Sequence, residues 1–259
     1  MISLTDAQLS VFLASFLWPF ARVAGLLAVA PILGNIGIPR RVKALLALAV
    51  TVALAPLLES VPAIEPWSAA GVAVMVQQMV VGAAMGFAMR VVFTMVDVAG
   101  ELASLQMGLG FAIFFDPQHG AHTAVVAQLL GLLASLTFLA INGHLMMLAT
   151  LAESFRVLPV GAAFGDASPW LALARWGATI FVSGLMLALP VVAALLITNV
   201  ALGILTRAAP QLNLFTVGFP VTILVGWLVL ALSLPMFAPL LTHAFEEGLR
   251  VMLVPLRGS

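Results

Sequence analysis

The sequence has no cysteine and very little charge. Without cysteine the chain can form no disulfide, and it offers no thiolate nucleophile and no thiolate ligand for a metal. Charged residues make up 8% of the 259 residues, against roughly 25% in soluble globular domains, while 63% are hydrophobic. This composition excludes a soluble globular protein and indicates a membrane protein.

Three long runs without Asp, Glu, Lys or Arg make the same point. They cover residues 123–152, 176–206 and 208–242, and each exceeds the ~20 residues that a helix needs to cross a bilayer. Hydrocarbon requires backbone polar groups to be satisfied within a segment, which a helix does. The sequence therefore predicts an all-α, polytopic, highly hydrophobic membrane protein, with residues 1–259 forming one subunit.

Apolar segments predict six or seven helical elements. They fall at about 7–33, 44–58, 67–89, 91–115, 123–152, 176–206 and 212–242, with one longer connection at 153–175. The second segment would be ~22 Å long, short of a hydrocarbon core of ~30 Å, so we expect half of a hairpin or a helix buried in protein.

Prolines are expected to break or kink several of these segments, because each one removes a backbone donor and clashes with the preceding turn. The residues are Pro19, Pro190, Pro210, Pro220 and Pro235. We therefore predict broken helices and helical hairpins.

The charges exclude some partners and cofactors. The net charge is zero and the longest basic cluster is Arg40, Arg41 and Lys43, so nucleic acid is not an expected partner. These residues place the first loop on the cytoplasmic side. His119 and His122 lie near Asp116, but without a third histidine close in sequence we expect no metal site and no cofactor.

A polar stripe runs along the fourth segment. Its members recur at spacings of four and three residues, which places them on one face of a helix. They are Arg90, Thr94, Asp97, Glu101, Ser104 and Gly108. Because a charge at the centre of a membrane helix costs roughly 2.5–3.5 kcal/mol, this face is expected to meet protein or water. The residues either pair with one another and contact neighbouring subunits, form a proton or ion relay, or lie on an exposed helix end.

The helix is predicted to end where the stripe does. Gly108 and Gly110 weaken a helix, and the pair Asp116 and Pro117 disfavours helical structure at Asp116. Met107 to His122 should form a loop that is apolar in its first half. Such a loop is either a packed re-entrant turn or a gasket that closes a channel by excluding water.

A second interruption is predicted after Arg207. Pro210 ends or kinks the helix there, and Gln211 and Asn213 add polar groups. Arg207 either caps the end of its helix, pairs with a carboxylate on a partner, or belongs to a transporter-type substrate site. No phosphate loop, nucleophile elbow or two-histidine helix motif is present, so we expect no enzyme.

Three stretches resemble the FliR family of flagellar export-gate proteins. They are APILGNIGIPRRVKALLALAVTVALAP at 30–56, GELASLQMGLGFAIFFDPQHG at 100–120 and LGILTRAAPQLNLFTVGFP at 202–220. Their order and spacing also fit, so the resemblance covers essentially the whole chain. The stretches LQMGLGF and DPQ favour the flagellar branch of the family over its relatives in virulence-type secretion.

The resemblance implies an all-helical subunit of the inner membrane and the flagellar basal body. It would assemble with FliP and FliQ, and associate with FlhB, into a gate that passes unfolded flagellar subunits in transit. It also implies a plug in the pore that follows Gln106, comprising Met107, Gly108, Gly110, Phe111, Phe114, Phe115, Asp116, Pro117 and Gln118. The alternative function is a secondary transporter that is coupled through Asp97, Glu101 and Arg207.

Overall fold

The computed structural model describes residues 6–35, 37–58, 62, 64–110, 124–163, 167–209 and 217–256. All regular secondary structure in these ranges is helical. The helices are α1 (Asp6–Val29), α2 (Arg40–Leu54), α3 (Ala69–Gln106), α4 (Val125–Ala140), α5 (Gly143–Val157), α6 (Ser168–Ala208) and α7 (Phe219–Val251), with short 3-10 turns at Ala55–Leu57 and Val254–Leu256. The predicted all-α fold is confirmed.

Several helices are long and apolar enough to cross a membrane. Among the described residues these are α3, α6 and α7 with its 3-10 extension, and α4 and α5 make a fourth candidate if they are taken together as one bent span. The axis bends by 64° between α4 and α5, at Ile141 and Asn142. The broken span contains no proline at the break; Asn142 instead adopts a left-handed backbone conformation with φ of 57°.

Two predicted boundaries are wrong. The segments 67–89 and 91–115 are not separate helices, because α3 runs unbroken through Arg90, an exposed residue that leaves the backbone hydrogen bonds intact. The connection at 153–175 is also too long, since only 158–167 lies between α5 and α6. Glu153 and Arg156 form an ion pair in the last turn of α5, and Pro169 lies in the first turn of α6, where the missing N–H has no cost.

We predicted that the prolines break or kink their segments, and among the described residues none of them breaks a helix. Pro19 lies inside α1, Pro190 inside α6, and Pro235 inside α7, while Pro220 falls in the first turn of α7. Membrane helices accommodate proline when neighbouring helices and Ser or Thr side chains take up the freed backbone groups. Pro210 lies outside the described residues.

The short second helix is as predicted. Helix α2 has 15 residues, and it packs on α1 through the buried side chains of Ala47, Thr51 and Leu54. This packing supports the predicted hairpin. The opposite face of α2 is apolar yet exposed in the isolated chain, including Leu45 and Val52.

The chain forms two compact units, and α3, α6 and α7 each contribute residues to both. The first unit comprises residues 1–91, 142–177 and 245–259, and the second comprises 92–141 and 178–244. The core of the first unit contains Trp18, Leu26, Met85 and Leu151, and that of the second contains Met107, Leu130 and Leu195. That the whole chain acts as one subunit remains a prediction.

Candidate functional site

The candidate site lies in the second unit, where α3 stops. Helix α3 ends at Gln106, and Gly108 has a φ of 80°. The N–H of Leu109 donates to the carbonyl of Ser104 at 3.0 Å, and that of Gly108 donates to Leu105 at 3.1 Å. These two bonds form a Schellman motif, which ends a helix with a left-handed glycine. The predicted helix end is confirmed.

Glycine is required at position 108 for two reasons. A φ of 80° is unfavourable for residues with a Cβ, and a Cβ there would also lie 2.8 Å from Cε1 of Phe219 in α7. Gly110 is less constrained, because its nearest neighbour would be the flexible side chain of Leu105. The conformation of the helix end is therefore set at Gly108.

Met107 immediately precedes that glycine and is fully buried. Its side chain fills the space above Gly226 of α7, where an added Cβ would lie 2.5 Å from the Met107 Cγ. Its carbonyl accepts a hydrogen bond of 3.3 Å from the hydroxyl of Thr222. The start of the predicted plug loop is thus held against α7, whereas Gln106 is only half-buried.

The remaining plug residues lie outside the described part of the chain. These are Phe111, Phe114, Phe115, Asp116, Pro117 and Gln118, together with His119 and His122.

The polar stripe of α3 follows the predicted face and changes in burial along it. Arg90, Asp97 and Glu101 are exposed, Thr94 is half-buried and Ser104 is buried. Asp97 lies beside α4, since a Cβ added to Gly131 would be 3.5 Å from its Oδ1. The pairing of Arg90 with Asp97 or Glu101 stays a prediction.

Arg207 lies in the last turn of α6, which ends at Ala208, and its side chain is exposed. A cation at this position interacts favourably with the negative end of the helix dipole. The predicted end of the helix is confirmed, while Pro210, Gln211 and Asn213 lie outside the described residues.

Arg22 in the first unit is a charged residue that our sequence analysis missed. It is fully buried in α1, and its guanidinium donates to three other residues. Nε donates to Gln78 Oε1 at 2.7 Å, Nη1 to the carbonyl and hydroxyl of Ser154 at 2.9 and 3.1 Å, and Nη2 to the Leu158 carbonyl at 2.8 Å. The side chain thus joins α1 to α3 and to the end of α5.

Among the described residues no carboxylate bonds to Arg22, and its surroundings explain how the cation is held. Ser154 and Leu158 lie at the C-terminal end of α5, where the helix dipole is negative. The Leu158 carbonyl lies past the last helical turn, while the Ser154 carbonyl accepts from both the Leu158 N–H and Arg22. The guanidinium carbon also lies 4.1 Å from the ring centroid of Phe155. A lone arginine within an apolar helix was the signal in the sequence.

Glycines bring α1 and α3 together next to Arg22. A Cβ added to Gly82 would overlap the backbone carbonyl of Arg22, and one added to Gly86 would lie 2.8 Å from the carbonyl of Leu26. Gly82 and Gly86 form a Gly-x-x-x-Gly pair, which allows helix backbones in membranes to approach closely. Our sequence analysis also missed this pair.

These features define an all-helical, multi-pass membrane protein in which one long helix, α3, ends in a Schellman motif at Gly108. Comparison with known proteins identifies its family. The family model described as bacterial export proteins, family 1, matches residues 13–248.

Relatives named flagellar biosynthetic protein FliR match nearly the whole chain. That of Pectobacterium carotovorum subsp. carotovorum is 43% identical over 247 residues, which cover 95% of this chain and 94% of the relative. That of Escherichia coli strain K12 is 42% identical over 249 residues with the same coverage. That of Bacillus subtilis strain 168 is 27% identical over 241 residues, covering 92% and 93%. The chain therefore belongs to the FliR family of flagellar export proteins.

Family membership confirms the resemblance that the three sequence stretches indicated. It makes this chain a component of flagellar export, which implies assembly with other export proteins and a location in the inner membrane. The family is not one of known enzymes.

Proposed function

We propose that this chain is a subunit of the flagellar type III export gate, that it forms the export pore with FliP and FliQ, and that the loop after Gln106 closes this pore. The observation that carries the proposal is the Schellman stop at Gly108 with Met107 fully buried against α7. A root that is fixed on a helix would keep the loop at one position in the pore, as a plug requires.

The sequence of the loop suits a plug. Phe111, Phe114 and Phe115 follow the fixed root within eight residues of Met107, counted along the chain. Apolar side chains in a narrow pore block ions by expelling water, and they present no charge that a permeating ion could use. Asp116, Pro117 and Gln118 complete the proposed plug segment.

The partners follow from the same proposal. FliP, FliQ and FlhB would cover protein-facing surfaces, unfolded flagellar subunits would pass in transit, and lipid of the bacterial inner membrane would surround the gate in the basal body. Large apolar side chains that are exposed in the isolated chain support such coverage, including Leu45 of α2 and Phe181 and Ile197 of α6.

We assign seven residues of the polar stripe and of the interruption after Arg207 to contacts with other subunits. They are Arg90, Asp97, Glu101, Arg207, Pro210, Gln211 and Asn213. A transporter would require ionisable groups along an enclosed path, whereas Asp97, Glu101 and Arg207 are exposed on helix surfaces. The exposure of these charges supports assembly over ion coupling.

Co-purification tests membership of the gate. We expect a tagged form of this chain, expressed with the FliP and FliQ of the same flagellar system, to purify from detergent as one defined complex that contains all three. If the chain purifies alone as a stable particle that catalyses solute uptake, and loses uptake on Asp97→Asn, the gate proposal is wrong and the transporter is favoured.

Replacement of the loop tests the plug. Exchanging residues 111–118 for glycine and serine at equal length keeps Met107 and Gly108 and removes the apolar side chains. We expect ion leakage per assembled complex to rise on the order of tenfold or more, because a polar loop no longer excludes water. Leakage is measured by dye release from vesicles that contain equal amounts of complex. Unchanged leakage in assembled complexes would show that this loop is not the plug.

A further inference from the structure

Three residues in the first turns of α7 contact Met107 and Gly108, the two residues that directly follow α3. Phe219 lies against Gly108, Thr222 donates to the carbonyl of Met107, and Gly226 leaves the space that the Met107 side chain occupies. Phe219, Thr222 and Gly226 are spaced by three and four residues, so they lie on one face of α7. This face of α7 therefore packs against Met107 and Gly108.

The contact between Met107 and Gly226 is closer than ordinary packing allows for any other residue at position 226. A Cβ there would be 2.5 Å from Cγ of Met107 and 2.9 Å from its Sδ and Cε. Only glycine therefore permits this arrangement, in which the methionine lies directly on the backbone of α7. The hydroxyl proton of Thr222 is shared between Met107 and the carbonyl of Phe219, the latter at 3.0 Å.

We propose that Thr222 and Gly226 are positioning residues for the plug, and that the first turns of α7 are the element through which the gate is held closed. The proposal rests on the plug function of the loop proposed above. Because Met107 and Gly108 are held on α7, a displacement of these turns carries the root of the loop with it.

A single added methyl group tests the anchor. Gly226→Ala displaces Met107, which is flexible enough to move without unfolding the chain. We expect leakage per assembled complex to rise several-fold, yet less than after replacement of residues 111–118, because the apolar loop is still present. Gly203→Ala is the matched control, since an added Cβ at that exposed glycine of α6 meets nothing within 4 Å. We expect no change in leakage for the control.

A double variant and a second single variant complete the experiment. Met107→Ala should raise leakage by itself, and the combination with Gly226→Ala should leak no more than Met107→Ala alone, because both remove the same contact. Thr222→Val keeps the shape, removes the hydroxyl, and should raise leakage by a smaller factor. If Gly226→Ala fails to assemble, the leakage of Thr222→Val alone tests whether α7 anchors the root of the loop.

The outcomes separate the anchor from the plug. If loop replacement raises leakage while Gly226→Ala and Thr222→Val do not, the plug stands and the anchor is wrong. If both variants lower the amount of complex without changing leakage per complex, their role is structural only, and the anchor is again wrong. If loop replacement itself has no effect, the failure belongs to the proposed plug.

Discussion

Arg22→Ala should remove most of this chain from the membrane. The substitution leaves Gln78 Oε1 and the Leu158 carbonyl without their donor in a buried site. Each buried acceptor without a partner costs about 1–3 kcal/mol, and the lost side-chain volume adds a cavity. Against a total stability of roughly 5–15 kcal/mol, this loss is large enough to prevent accumulation.

A lysine at position 22 separates the contribution of the positive charge from that of the guanidinium geometry. Arg22→Lys keeps the positive charge, but one ammonium group cannot reproduce the fork that reaches Gln78, Ser154 and Leu158 together. We expect Arg22→Lys to accumulate at a level between those of Arg22→Ala and the parent chain. Equal accumulation of the lysine variant and the parent would show that charge alone is sufficient.

Arg156→Ala is the control on the same helix end. Arg156 lies in the last turn of α5 and pairs with Glu153 at 3.4 Å, but both side chains are largely exposed. Exposed pairs of this kind contribute about 0–1 kcal/mol. We expect unchanged accumulation and an unchanged melting temperature in detergent. If Arg22→Ala behaves like Arg156→Ala, the buried network does not hold the first unit together.

The helical fold and the end of α3 were predictable because their causes are local. Charge-free runs require helices whatever their neighbours are, and Gly108 supplies the left-handed residue that a helix stop needs. The same local reasoning failed at Arg90, where it divided α3, and the break that it allowed at Pro190 does not occur. A charged side chain that points away from the helix does not interrupt the backbone, and a proline can be accommodated by neighbouring helices. Neither residue type therefore ends a membrane helix by itself.

The most specific contacts could not be predicted because they join distant parts of the chain. Arg22 meets Gln78 across 56 residues, and Leu158 across 136. Gly226 appeared in the sequence only as one glycine in an apolar helix, and its contact with Met107 depends on which face of α7 meets the end of α3. Nothing in the sequence indicates which of the many possible pairs of distant residues make contact.

Gly82→Ala should destabilise the chain as severely as Arg22→Ala, although it adds only one methyl group. The added Cβ would overlap the carbonyl oxygen of Arg22 and lie 2.8 Å from the backbone nitrogen of Leu26. Overpacking usually costs about 1–3 kcal/mol because side chains move aside, but here the neighbours are backbone atoms. Helix α1 must therefore move as a unit, which also pulls the Arg22 guanidinium away from Ser154 and Leu158.

A series of Gly→Ala variants tests this explanation, because the atoms that an added Cβ meets differ from site to site. At Gly82 they are backbone atoms, at Gly226 they belong to the flexible side chain of Met107, and at Gly203 there are none within 4 Å. Accumulation and melting temperature should fall most for Gly82→Ala, slightly for Gly226→Ala and not at all for Gly203→Ala. Gly82→Ala and Arg22→Ala should also be non-additive in combination, since both disrupt the same contact between helices. Full additivity, or normal accumulation of Gly82→Ala, would contradict a direct backbone contact between α1 and α3.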